Sequence, residues 1–286
     1  MRRYLAKYVR SPLATAGLGI LGLAFLCALF APLLAHQDPY NLAELAVADG
    51  RLPPGSRGSE GLQYWLGTDD QGRDVFSAIL YGLRISLAVA LISTSVALAI
   101  GVAIGLSGAY FGGWVDSVLM RLADIQLAFP GILIALVLLA VLGTGLDKVI
   151  IAIIAVQWAY YARIARSVAL VERSKEYVLA AHNLQFSACR IMFAHLLPNC
   201  VAALSVVAVV NMAGAIALEA TLSFLGVGLP ITQPSLGLLI ANGYSSMLTG
   251  EYWLSFYPGL VLLLLLIGIN LIGERLRQLH DPRGIA

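Results

Sequence analysis

Apolar runs separated by polar intervals set the architecture of this chain. The runs are Ala14–Ala35, Ile85–Leu106, Gly131–Gly143, Val149–Ala169, Cys200–Leu222 and Tyr257–Ile272. Most approach the roughly 20 residues that a helix needs to cross a bilayer. Gly131–Gly143 is shorter, so its span is read as beginning upstream, through Met120–Asp124 and Ala128-Phe129-Pro130. Ala14–Ala35 follows a basic segment and could be mistaken for a cleaved leader. It is too long for a leader's apolar region of roughly 7–15 residues, and is read as a permanent helix. The interval 36–84 is polar and holds Pro39, Pro53 and Pro54 with several glycines. It is too long for a tight turn and too poor in apolar residues to build its own core. Residues 1–13 carry Arg2, Arg3, Lys7 and Arg10 around Leu5, Tyr8 and Val9, the pattern of a short helix lying on a membrane surface. Glu176–Asn199 is a helical, partly polar interval between the fourth and fifth runs. At i, i+4, i+8 spacing, Glu176, Ala180 and Leu184 share a face, on which Ala181 is also placed.

Composition agrees with this pattern. Hydrophobic residues make up 59% of the 286 residues and charged ones 12%, about half the charge of a soluble domain, and the mean hydropathy is +0.85. The 18 basic residues divide unevenly between the two sides. Arg2, Arg3, Lys7, Arg10, Arg121, Arg163, Arg166, Arg173, Lys175, Arg190, Arg275, Arg277 and Arg283 fall on the side of the N-terminus; Arg51, Arg57, Arg73, Arg84 and Lys148 fall on the other. The excess belongs in the cytoplasm. The expectation is therefore an all-α membrane protein with six transmembrane helices and cytoplasmic N- and C-termini. An extracytoplasmic loop 36–84 follows the first helix, a transmembrane domain occupies 85–275 with a cytoplasmic loop at 172–199, and a tail covers 276–286.

Candidate chemistry is sparse. Cys27, Cys189 and Cys200 show no paired spacing, and His36, His182, His195 and His280 are scattered, so no metal site is expected. The lysines Lys7, Lys148 and Lys175 follow Ala, Asp and Ser, which excludes a Walker A motif. No hydrolase motif or paired-carboxylate constellation stands inside the spans. The chain is expected to be a pathway rather than an enzyme, with no affinity for nucleic acid. Within the spans, Gly101 and Gly105 have the spacing for close helix packing, most simply within the subunit. Arg121 and Asp124, three apart, can pair on one face. Gln157, Asn211 and Glu219 are the pathway candidates, against helix–helix hydrogen bonding for Gln157 and a hydrated edge for Glu219. In the outer loop, Asp69 and Asp74 around Arg73, with Gly67 and Gly72 permitting tight turns, can lock the chain by charge-assisted hydrogen bonds. A structural staple is favoured over ligand contact for Arg73.

Several strings together carry a family resemblance. Glu176-Tyr177, Ala180-Ala181 and Leu197-Pro198-Asn199 resemble the EAA loop of ABC importer permeases. Leu179 stands where the family has Glu, and Gln185 where it has Gly. Trp65–Asp74 resembles the LGTDxxGRD signature of the C-type permeases of dipeptide, oligopeptide and nickel importers. Met120–Pro130, Glu219–Gly226 and Asn270–Arg283 match further family strings, with Leu236 for the usual Trp and Glu274 for the usual Asp. The resemblance implies a bacterial inner-membrane permease that pairs with a related B-type permease, two ABC ATPase subunits and an extracytoplasmic solute-binding protein. It implies a coupling helix at Glu176, Tyr177, Ala180, Ala181, Leu184 and Gln185, followed by Pro198 in the first turn of the next helix. It places Asp69, Gly72, Arg73 and Asp74 near an outer gate. ATP and Mg belong to the ATPase subunits, and no cofactor is expected on this chain. Peptides are the first expected cargo and nickel or a metal chelator the second; a stand-alone secondary transporter or channel is the alternative of another class.

Overall fold

The computed structural model describes residues 11–39, 41, 45–59, 61–230 and 232–280. The basic segment Met1–Arg10 and the tail Asp281–Arg283 lie outside the described residues. The architecture is mostly helical. A first helix, α1 (Pro12–Leu29), has Pro12 in its first turn and is extended by α2 (Ala31–Leu34). The loop that follows carries the hairpin β1 (Ser56–Arg57) and β2 (Gln63–Tyr64), antiparallel with Ser56 opposite Tyr64, and an isolated bridge between Thr68 and Asp74.

The second long helix, α3 (Val75–Phe111), begins at Val75 rather than at Ile85, so the loop ends at Asp74. Asp74 explains the early start, because its carboxylate caps the Phe76 and Ser77 amides. Next come α4 (Gly113–Ala128) and α5 (Gly131–Leu142), bent by 89° at their break. Pro130 stands at the bend and removes the amide that would continue the helix. The pair is a broken span or a re-entrant loop: among the described residues five helices are long and apolar enough to cross a membrane, or six if the bent pair is one span. α6 (Leu146–Arg173), the short α7 (Glu176–Asn183) and α8 (Leu197–Phe224) carry the chain through the loop 172–199. α9 (Leu236–Tyr244) and α10 (Trp253–His280) complete it.

The main core lies where α3, α5, α6, α8, α9 and α10 converge, around Val89, Ile153, Ile216, Leu236 and Ile269. The α3–α6 pairing is the most extensive, and Gly101 and Gly105 make it possible. A Cβ on Gly105 would stand 2.4 Å from the Ala162 carbonyl oxygen, and one on Gly101 2.6 Å from that of Trp158. The small-residue pair thus serves packing within the subunit. Gly105→Ala is expected to push the two backbones apart and cost about 1–3 kcal/mol, read as a lower thermal midpoint of the purified chain; an unchanged midpoint would refute the contact.

Sequence pattern passed over α9, since nine residues cannot span a bilayer. Its start signal is nonetheless local: the Ser235 hydroxyl accepts from the Leu238 amide. Leu236, Leu238 and Leu239 are buried, and a Cβ on Gly237 would meet the Ala220 carbonyl oxygen of α8 at 2.4 Å.

Candidate functional site

One end of the bundle is built around α7. Val178 and Ala181, three apart, turn inward and join one apolar cluster with Val102 and Leu106 of α3, Ala165 and Ala169 of α6, and Ile191, Met192 and Leu196. Ala181 is 4% exposed. It therefore does not share the outward face with Ala180, which corrects that expectation: adjacent residues on a helix point about 100° apart. The remaining residues from Glu176 to Leu184 are all exposed, Leu184 at 67% and Tyr177 at 37%.

A second anchor ties α7 to the end of α6. Glu172 accepts from Lys175 Nζ at 2.6 Å and from the Tyr177 hydroxyl at 2.8 Å. Burial and this hydrogen bond push the Tyr177 hydroxyl up to about 12, so it keeps the proton it donates. Tyr177 thus faces its own chain as well as solvent.

Gln185 closes α7 in the left-handed region, at φ 54°. Its amide reaches the His182 carbonyl (2.9 Å) and the Phe186 amide reaches that of Ala181 (3.3 Å), the paired bonds of a Schellman cap. This is the conformation in which glycine is most comfortable. Gln185→Gly is therefore expected to stabilise the cap by up to about 1 kcal/mol, seen as roughly fivefold slower hydrogen exchange of the α7 amides; faster exchange would contradict it.

After α7 the chain is helical again from Ala188, with a π-helical stretch Ile191–Leu196 leading directly into α8. Pro198 stands in the first turn of α8 as expected, but that turn continues a helical run instead of emerging from a loop. Around this surface, Arg166 grips Asp116 with two bonds of 2.5 Å, and Arg173 Nη1 donates to the Ala109 carbonyl at 2.7 Å. Asp124 pairs with Arg163 of α6, not with Arg121 as its spacing suggested. These contacts fasten α4 and the end of α3 to α6.

On the opposite side, the outer loop forms a staple. Asp69 accepts from the Gln71 and Arg73 amides and from Arg73 Nε at 2.7 Å, and Arg73 is 3% exposed. The Asp74 amide donates to Gln37 Oε1, and the Asp74 carboxylate accepts from the Ser77 hydroxyl. At Gly72, φ is 75° and a Cβ would stand 2.1 Å from the Ala46 carbonyl oxygen, so only glycine fits. Although the loop has no apolar core, Asp49 substitutes for one by accepting from the Ser59 amide and the Tyr64 hydroxyl. A cavity of about 330 Å³ lies between Asp69–Arg73 and the α9 region, reached by Asn242 and Ser245.

The three intramembrane polar candidates separate. Gln157 Nε2 donates to the Asn211 carbonyl at 3.2 Å, joining α6 to α8. Asn211 also borders a cavity on the inner half of α8. Glu219 is fully buried, which removes the hydrated-edge reading. It accepts from Ser86 of α3 at 3.0 Å and Ser223 at 2.8 Å, with buried Ser235, before α9, close by.

A bundle of apolar helices with a short exposed helix rooted at one end and a stapled loop at the other is the build of a multi-pass membrane protein. Residues 97–285 match the family described as the binding-protein-dependent transport system inner membrane component, and residues 1–54 match the N-terminal TM domain of oligopeptide transport permease C. The chain belongs to this family, as the C-type inner-membrane permease of an ABC importer. The dipeptide transport system permease protein DppC of Alkalihalophilus pseudofirmus is 35% identical over 274 residues, covering 96% of this chain and 87% of its own. The oligopeptide transport system permease protein OppC of Bacillus subtilis is 35% identical over 277 residues, covering 97% and 88%. A chain of the inward-facing MetNI methionine ABC transporter shares the fold, with a TM-score of 0.58 at 18% identity over 71% of this chain and 97% of its own.

Proposed function

We propose that this chain carries di- or oligopeptides across the inner membrane as one half of the pathway of an ATP-driven importer, the other half being a B-type permease. The observation that carries the coupling role is the division of α7. One face is locked into the permease by Val178 and Ala181, and the other, with Glu176, Leu179, Ala180 and Leu184, is open at the inner surface. A helix held on one side and exposed on the other passes a push from an ATPase subunit to α3, α6 and α8 together. ATP and Mg²⁺ bind the two ATPase subunits, so this chain is no enzyme. Closure of those subunits shifts the spans between outward- and inward-facing states because their contacts with α7 differ between the states. A solute-binding protein delivers the peptide over the Asp69–Asp74 staple, which holds the outer mouth in register. Peptide cargo rests on the named relatives, which are dipeptide and oligopeptide permeases. Uptake of labelled di- and oligopeptides by a deletion strain, restored by this chain with its partner subunits, tests the cargo; restored uptake of nickel alone would refute it.

Six spans with both termini in the cytoplasm complete this reading. Cys189 is exposed beside α7, whereas Cys200 is buried. In a variant lacking Cys27 and Cys200, a membrane-impermeant thiol reagent is expected to label Cys189 only from the cytoplasmic side. Labelling in intact cells would invert the topology.

A further inference from the structure

The outer loop is held together from within. The Thr68 hydroxyl donates to the Asp49 carbonyl at 2.6 Å and accepts from the Leu52 amide at 2.8 Å, while the Asp49 carboxylate gathers Ser59 and Tyr64. The ends of the loop meet where Ala46 lies against Gly72. The hairpin of α9 and α10 beside it is equally tight. Its Ser255 hydroxyl donates to the Ile240 carbonyl at 2.9 Å, and a Cβ on Gly243 would stand 2.5 Å from the Leu254 backbone.

The contact between these two bodies is loose. Arg51 crosses it: Nε donates to Asp70 Oδ1 at 2.9 Å within the loop, and Nη1 stands 3.7 Å from Glu251 Oε1 in the turn between α9 and α10. Arg51 and Asp70 are each about half exposed, so water and salt weaken these pairs. Trp253 of α10 reaches the loop at Gly67, where a Cβ would stand 2.8 Å from its Nε1. Yet Trp253 Nε1 and Glu251 Oε2 are buried with no hydrogen-bond partner among the described residues. The cavity of about 330 Å³ opens in the same contact, between Asp69 and Arg73 on one side and Asn242 and Ser245 on the other. Permanent contacts are packed like a crystal and leave few polar groups unpaired. Two well-bonded bodies joined by a poorly bonded contact separate there first. Arg51 itself holds φ at 61°, a left-handed conformation that persists in a non-glycine residue only where its surroundings hold it.

We propose that the outer loop from Ala46 to Gly72 is a lid that parts from the α9–α10 hairpin as one body, with Arg51 as its latch to Glu251. Parting carries Arg51 and Asp70 away together, because their bond lies within the loop, and breaks only the longer pair to Glu251. The bonds that shape the lid survive the movement, so it closes again in the same register. The lid deepens the importer reading and rests on it for the force that lifts the loop; the latch rests on the geometry of Arg51 alone.

The test uses the full chain with its partner subunits in nanodiscs, in a background lacking Cys27, Cys189 and Cys200. Spin labels on Ser59→Cys in the loop and Leu248→Cys in the turn, both exposed positions, report the distance across the contact by pulsed electron resonance. The parent chain is expected to show a dominant short distance at rest and a minor longer one, which grows when ATP and vanadate trap the ATPase subunits. Arg51→Gln is expected to raise the longer population at rest about threefold. Glu251→Gln, which leaves every bond inside the loop intact, is expected to match it, and the double variant to go no further. An unchanged distribution on trapping would overturn the lid, and parental distributions in both single variants would overturn the latch. Failure of the complex to hold ATPase subunits would instead count against the importer reading, and the resting comparison would still decide the latch.

Discussion

Ala180→Glu is expected to release the ATPase subunits while leaving the permease folded, and Ala181→Glu to do the reverse. The two residues are neighbours in sequence and stand on opposite sides of an energetic divide. Ala180 is exposed on α7, where a larger side chain costs the isolated chain within about ±0.5 kcal/mol. Against a partner surface the same glutamate brings bulk and an unpaired charge. Loss of ATPase from the purified complex, or a more than tenfold fall in substrate-stimulated hydrolysis, is the expected result. Ala181 instead touches the cluster of Val102, Leu106, Ile191 and Leu196. A carboxylate forced into that cluster costs several kcal/mol, so Ala181→Glu should express poorly or melt early. Normal ATPase retention in Ala180→Glu would remove α7 as the coupling surface. A normal melting temperature in Ala181→Glu would remove its role as an anchor.

Glu219→Leu is expected to loosen the outer end of the bundle. The carboxyl gathers two hydroxyls, Ser86 on α3 and Ser223 on its own helix, and Ser235 at the start of α9 stands beside them. All four residues are fully buried, so none can fall back on water. Each hydroxyl left without a partner costs roughly 1–3 kcal/mol. Leucine fills the volume and satisfies none of them, whereas Glu219→Gln keeps hydrogen-bonding atoms on both branches. The expected order of thermal stability is wild type, then Gln close behind, then Leu lower by several kcal/mol, with α9 in the Leu variant open to proteolysis. Equal stability of the Leu and wild-type chains would mean that the cluster does not hold α9.

The location of Glu219 shows what a linear pattern leaves open. A carboxylate near the end of an apolar run is compatible with a wet edge, a pathway or a buried node. Ser86 is 133 residues away in the chain, and its proximity is a product of α3 and α8 crossing. Asp124 likewise had an obvious partner in Arg121 on its own helix, yet pairs with Arg163, 39 residues on. Helical spacing identifies residues that can meet; competition from a neighbouring helix decides which do.

Other features were legible because their causes are local. Apolar runs long enough to cross a bilayer, the Asp69–Arg73 pair and the left-handed position at Gln185 each depend on residues within a few turns of one another, whereas Asp74 caps α3 and meets Gln37 instead of Arg73. Gly101 and Gly105 were likewise readable as small residues one turn apart, while their fit against Trp158 and Ala162 belongs to the crossing of α3 and α6. The sequence by itself thus determined a multi-pass helical permease and the strings that place it in its family. Tertiary structure decided which face of α7 is anchored, that α9 folds back onto α8, that the chain bends by 89° between α4 and α5, and that Glu219 is enclosed. The physical reason is that periodicity fixes which side chains share a face, while the burial of that face depends on helices brought together from distant parts of the chain.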